Sequence, residues 1–166
     1  IENGALLTIL NNPINGNIGK LAVSGAVKGL AGINASAGTL EFDGISSIPQ
    51  ILPANLCVDS NIQNLILSNS VIMNGFQNIT GNLSYTGNNR IFTTNDSLVF
   101  KSTATGTAQF ADITNNGTSS GNTISGKVII ERYISPKRAW RLLSIPIVAN
   151  SNAPTINAAW QEGTNA

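Results

Sequence analysis

Short stretches in which apolar and polar residues alternate recur along the chain, as in Lys20-Leu21-Ala22-Val23-Ser24, Thr39-Leu40-Glu41-Phe42-Asp43, Asn64-Leu65-Ile66-Leu67-Ser68, Asn82-Leu83-Ser84-Tyr85-Thr86 and Ser97-Leu98-Val99-Phe100-Lys101. A period of two sends one set of side chains inward and the other to solvent, so each stretch predicts a β-strand with one buried face. Helical spacing of apolar residues over three turns is nearly absent, because Gly, Asn and β-branched residues interrupt it. The expected class is all-β. Three stretches share the template Gly-x-Leu-x-apolar-x-Gly, from Gly19 to Gly25, Gly38 to Gly44 and Gly81 to Gly87. Such self-similarity is what stacked coils produce, each coil laying its Leu on that of its neighbour. Leu21, Leu40, Leu65, Leu83 and Leu98 are therefore expected to be buried on parallel, stacked strands, with the flanking glycines turning the corners. The predicted architecture is a right-handed parallel β-helix, or β-solenoid, over residues 1–125. An antiparallel β-sandwich is the alternative, since it too needs short strands punctuated by turns. It gives no reason for the template to repeat.

The pattern changes near Gly126. Lys127, Arg132, Lys137, Arg138 and Arg141 place five of the nine basic residues in fifteen positions. Val128-Ile129-Ile130-Glu131-Arg132-Tyr133-Ile134 reads as a longer strand with apolar residues on both faces, and Ala139-Trp140-Arg141-Leu142-Leu143-Ser144-Ile145-Pro146 follows the Ser135-Pro136 break. Residues 126–166 are expected to cap the stack and begin a linker to a following domain. A stack leaves the core of its last coil open, which must be covered or invites association. Trp140, Arg138, Arg141 and Tyr133 are the candidate cap or interface residues, because Trp, Tyr and Arg are the types that anchor buried contacts. In the cap reading Trp140 packs on the Val128 to Ile134 strand, with Arg138 or Arg141 over an aromatic face or against Glu131.

Composition adds that the polar surface is built without charge. Charged residues are only 10% of the 166, while Asn, Ser, Thr and Gly fill stretches such as Asn115-Asn116-Gly117-Thr118-Ser119-Ser120-Gly121-Asn122, which favour turns because Gly and Asn accept positive φ. A net charge of +1 supplies no long-range field for phosphate backbones or anionic lipids, so neither nucleic acid nor membrane is an expected partner. No apolar run reaches the ~20 residues of a membrane span, and no secretory signal opens the chain. A start at Ile1 and an end at Thr164-Asn165-Ala166 suggest an internal fragment or mature product. The single Cys57 excludes an internal disulfide and a cysteine-based metal site. It is expected to be a small buried hydrophobe.

The runs Gly38-Thr39-Leu40-Glu41-Phe42-Asp43-Gly44, Asn64-Leu65-Ile66-Leu67-Ser68-Asn69-Ser70 and Ile79-Thr80-Gly81-Asn82-Leu83-Ser84 resemble the β-strand repeats of large, adhesin-like surface proteins of Bacteroidetes. More specifically, Glu131-Arg132-Tyr133-Ile134-Ser135-Pro136-Lys137-Arg138-Ala139-Trp140-Arg141-Leu142-Leu143-Ser144-Ile145-Pro146 is similar to a segment that in those proteins follows the repeats and precedes later domains and a C-terminal sorting domain. The resemblance covers about residues 38–148. It implies a secreted protein at the outer surface of the cell, exported by the type IX machinery through a sorting domain that this chain lacks. It also implies neighbouring domains of the same polypeptide as partners, with surface glycans or other cell-surface proteins as adhesion targets. The family brings no shared catalytic site.

The residues themselves point away from catalysis. His is absent, which removes the commonest general base and zinc ligand and the Ser-His-Asp and Cys-His arrangements. Gly16-Asn17-Ile18-Gly19-Lys20-Leu21 fails the phosphate-loop pattern at both its leading Gly and its Ser/Thr. The sequons at Asn34, Asn78, Asn82, Asn95 and Asn116 are expected by chance in an Asn-rich chain. Thr103-Ala104-Thr105-Gly106-Thr107 would put three hydroxyls on one strand face. The enzymatic alternative is a carbohydrate-active β-helix, a lyase or glycosidase, which needs clustered carboxylates on neighbouring coils. Glu41 and Asp43 on one face, with Asp59, Asp96, Lys101 and Arg90 in later coils, are the residues that could supply it. Eight acids in the whole chain leave little to cluster. No cofactor, metal or catalytic residue is therefore expected, and the leading function is a structural or adhesive spacer module.

Overall fold

The computed structural model describes residues 6–10, 18–27, 32–45, 47–114 and 117–135. Chain contacts divide it into two units, Ile1–Ile134 and Ser135–Ala166. The strands all belong to the first unit: β1 (Leu6–Thr8), β2 (Lys20–Val23), β3 (Gly32–Phe42), β4 (Gln50–Pro53), β5 (Cys57–Leu67), β6 (Val71–Asn74), β7 (Gln77–Tyr85), β8 (Ile91–Thr93), β9 (Leu98–Phe100), β10 (Gln109–Phe110), β11 (Thr123–Ser125) and β12 (Val128–Ile130). No helix occurs among the described residues, and the class is all-β.

Two sheets hold these strands. The first runs β1-β3-β5-β7-β9-β12, with β2 also on β3 and β10 also on β7, and the second runs β11-β8-β6-β4. From β3 to β9 consecutive strands alternate between the sheets, and each return falls on the next neighbour. Every pairing between named strands is parallel. The antiparallel sandwich is therefore not the fold: the strands carrying Leu40 and Leu83 lie in one sheet, both in parallel register with the strand of Leu65.

That register follows from the sequence pattern. Leu21 pairs with Leu40, Leu40 with Leu65 and Leu65 with Leu83, and the last three are fully buried while Leu21, on the outermost strand, is half-buried. A second inward column sets Phe42 on Leu67 and Leu67 on Tyr85. The other sheet contributes Leu52, Val71, Met73 and Phe92 to the same core. Slipping one strand by a residue would exchange its leucines for Thr39, Asn64 or Asn82, which is why a buried face fixes register so strongly.

Leu98 departs from the expected series. It is fully buried on a parallel strand, but it pairs with Gln77, and Phe110 takes the place above Leu83. β7 is long enough to carry two neighbours side by side, β9 on its first half and β10 on its second. Between these two strands the chain makes the turn 103–107, in which the Thr103 amide donates to the Gly106 carbonyl at 2.7 Å and Ser102 bridges Thr107 antiparallel. The three hydroxyls expected on a strand face are thus in a turn, where Thr103 and Thr105 bond each other at 3.1 Å.

Two of the template glycines act differently from expectation. Gly38 and Gly81 lie inside β3 and β7, beside irregularities in register, rather than at corners. A Cβ on Gly38 would come within 2.4 Å of Ile9 Cγ2, and one on Gly81 within 2.7 Å of the Gln63 carbonyl oxygen. Close approach of neighbouring strands, not turning, demands Gly there. The corners are shared by Gly and by Asn and Asp: the template's Gly87 turns after β7 with φ 86°, as expected, while Asn55, Asn89, Asn95 and Asp96 have φ between 48° and 60°, the left-handed region these residues tolerate best among side-chain-bearing types.

Amide side chains then tie corner to corner. Gln50 Nε2 donates to the Val23 carbonyl at 2.7 Å, Asn69 Nδ2 to that of Ile48 at 2.8 Å, Asn95 Nδ2 to that of Met73 at 2.6 Å and Asn122 Nδ2 to that of Gly87 at 2.9 Å. Each bond joins residues 21 to 35 positions apart. The acceptors are backbone carbonyls at or near strand ends, those of Ile48 and Gly87 lying in turns. β12 continues the first sheet beyond the expected change at Gly126, in register on β9, but only Val128–Ile130 are extended and Ile129 and Ile130 are exposed.

Candidate functional site

Of the candidate cap residues, Trp140, Arg138 and Arg141 lie outside the described residues. Tyr133 is about half exposed, and its amide donates to Ser102 Oγ at 2.9 Å.

The carboxylates named for a glycan-cleaving site take separate partners. Glu41 accepts from Lys20 Nζ at 2.7 Å and from Ser68 Oγ at 2.6 Å, and these bonds hold its carboxyl below the usual range. Asp43 accepts from Ser24 Oγ at 2.8 Å. Asp96 accepts from the Lys127 amide at 2.6 Å, with Lys127 Nζ at 3.9 Å. Glu131 binds Lys101, so that cation is engaged away from Asp96. Asp59 falls with Ser60 on a left-handed bulge of β5. Among the described residues no group of three or more Asp, Glu or Cys is placed to hold a metal ion. Cys57 is buried on β5, and desolvation pushes its thiol up to about 12.

A concavity of about 330 Å³ opens elsewhere, where the end of β7 meets the loop between β10 and β11. Tyr85, Gly87 and Asn88 form one wall, and Asp112, Thr114, Ser120 and Asn122 the other. Local chemistry fixes the second wall. Asp112 Oδ1 accepts from the Thr114 amide at 2.8 Å and from its hydroxyl at 2.7 Å, a turn in which a carboxylate bonds the backbone two residues on. Those bonds keep the Asp112 carboxyl below its ordinary value. Ser120 Oγ donates to the Ile113 carbonyl and accepts from the Asn122 amide at 3.1 Å. Asn122, nearly buried, accepts from the Arg90 amide at 2.8 Å while donating to Gly87. On the facing wall the Tyr85 hydroxyl donates to the Thr123 carbonyl at 2.7 Å, and its ring leans on Phe110 with centroids 5.9 Å apart. Burial raises the pKa of that hydroxyl, so Tyr85 stands in the wall as a neutral, fixed ring.

None of these cleft residues stood out in the sequence. Tyr85 and Asn88 are separated from Asp112 and Asn122 by three strands and a turn, and no spacing connects them. The one local signal was Asp112-Ile113-Thr114, whose Asp and Thr suit a side-chain-capped turn. No family model, curated protein or solved structure matches the chain.

Proposed function

We propose that the chain is a β-solenoid module serving as a structural or adhesive spacer in a secreted bacterial cell-surface protein. The observation that carries the reading is the column Leu21, Leu40, Leu65, Leu83, in parallel register across four strands while the intervening β4 and β6 lie in the second sheet. A coil that buries its leucine only against the coils on either side gives a body extended by repetition, suited to holding other parts at a distance. The dispersed partners of Glu41, Asp43, Asp96 and Glu131 favour this reading over the carbohydrate-active enzyme, which requires carboxylates brought together. Secretion through the type IX route, a place at the outer cell surface and neighbouring domains as partners belong to the same proposal and rest on the family resemblance.

Coil duplication tests it. Asn64 and Leu65 stand in register with Asn82 and Leu83, so a second copy of residues 64–81 inserted before Asn82 adds one coil. The lengthened chain is expected to fold cooperatively and to extend by about 4.8 Å, one strand spacing, in small-angle scattering. An unfolded product, or one that thickens without lengthening, refutes the spacer.

A further inference from the structure

We propose that the cleft between Tyr85-Asn88 and Asp112-Asn122 binds a neutral, hydroxyl-rich ligand, a single sugar residue of a surface glycan. The inference deepens the adhesive part of the function proposed above and rests on it. Several polar groups lining the cleft are left with unused capacity by the fold. Asp112 Oδ2 accepts only from the Thr114 hydroxyl, at 2.8 Å, and a carboxylate oxygen has room for a second donor. Asn122 Nδ2 donates one hydrogen to Gly87, leaving its other. The Asn88 side chain, exposed at the rim, brings an amide with both donor and acceptor capacity. One strong acceptor beside two amide donors is the complement of a vicinal diol, whose hydroxyls each donate once and accept once.

Charge narrows the class. Asp112 is the only ionised residue among the described residues lining the cleft, and it repels an anionic ligand. Arg90 stands behind Gly87, its guanidinium about 3.5 Å from where a Cβ on that glycine would sit, and its charge disfavours a cation. A divalent ion would find one carboxylate where hard cations require six or more oxygens. Size narrows it further, because about 330 Å³ is at the low end of the ~300–1,000 Å³ of small-molecule sites. One ring fits there rather than a chain. The lining is mostly polar, with Tyr85 fixed at one side by its bond to Thr123, which suits a ligand recognised through hydroxyls.

The test uses the whole chain, isotope-labelled, titrated with the methyl glycosides of galactose, mannose, fucose and N-acetylglucosamine while amide shifts are followed. At least one is expected to shift Tyr85, Asn88, Asp112 and Asn122 saturably, with a dissociation constant of about 1–10 mM. Asp112→Asn removes the charge-assisted bond and Asn88→Ala the rim amide, and each is expected to weaken binding about tenfold. Both positions are exposed, and an unchanged melt shows that the fold is kept. Absence of saturation by any glycoside to about 50 mM, unchanged affinity in both variants, or saturation by acetate, methylammonium or calcium chloride alone overturns the proposal. The coil-duplicated chain reports on the spacer independently, so loss of the sugar site and loss of the solenoid are separate results.

Discussion

Replacing Asn69 with Ala is expected to remove more stability than any contact on the surface of this protein. The side chain is fully buried. Its Nδ2 donates to the Ile48 carbonyl at 2.8 Å and the Ile45 carbonyl at 3.3 Å, while its Oδ1 accepts from the Ser70 amide at 2.8 Å. Two good hydrogen bonds at about 1 kcal/mol each give a floor of about 2 kcal/mol. The orphaned groups raise it, because a buried donor or acceptor without a partner costs about 1–3 kcal/mol. Ile45 and Ile48 are exposed, so water can reach their carbonyls after truncation and the total should stay near 2–4 kcal/mol. At about 3 °C per kcal/mol for a chain of this size, the melting temperature should fall by about 6–12 °C. Asn69→Asp is the sharper probe. It keeps the acceptor for Ser70 but turns a carboxylate oxygen toward two carbonyls, so its folded-state pKa should rise above that of an unfolded Asp. A raised pKa makes stability fall as pH rises, and this variant should therefore melt higher at pH 4 than at pH 7. Thermal melts of the three proteins at both pH values decide the matter. A melting temperature for Asn69→Ala within about 1 °C of the parent, or no pH response in Asn69→Asp, would show that the corner amides do not hold the stack.

Three further outcomes are expected. Leu65→Ala, at a fully buried site between Leu40 and Leu83, should cost about 3–4 kcal/mol in urea titrations, and Leu21→Ala, half-buried on the outermost strand, about 1–2 kcal/mol; equal costs would contradict the register. Glu41 has a carboxyl held low by Lys20 and Ser68, so its contribution is present at neutral pH and lost as pH falls through its folded value. Parent and Glu41→Gln should thus differ by about 1 kcal/mol at pH 7 and converge below about pH 4, and a constant gap across that range would rule the pairing out. Cys57, with its thiol pushed up to about 12 by burial, should resist a thiol reagent at pH 8 until denaturant is added; rapid labelling of the folded chain would place it at the surface.

The strands and most of the inward column were legible in the sequence because a parallel strand buried on one face repeats its leucine at every return. Leu21, Leu40, Leu65 and Leu83 carried that signal. Leu98 looked equivalent because it too begins an alternating stretch, yet nothing local reveals that β7 carries two neighbours and that the turn 103–107 parts them. Gly38 and Gly81 were visible but their role was not, since only the neighbouring strand shows that Gly38 has no room for a Cβ beside Ile9. The candidate site was not legible at all. Its walls meet only after β7 and the loop before β11 are folded together, and Asp112 is one acid among eight until then.

The amide ties between corners bear on where such a protein can work. Ion pairs weaken as salt rises, since the ionic atmosphere screens charge over about 8 Å in physiological saline. Three ion pairs occur among the described residues, and of these only Lys127–Asp96, at 3.9 Å between exposed groups, reaches a corner. The corner ties are neutral amides on backbone carbonyls, which an electrolyte has little to act upon. A change of ionic strength, even from fresh water to seawater, then leaves these ties nearly untouched.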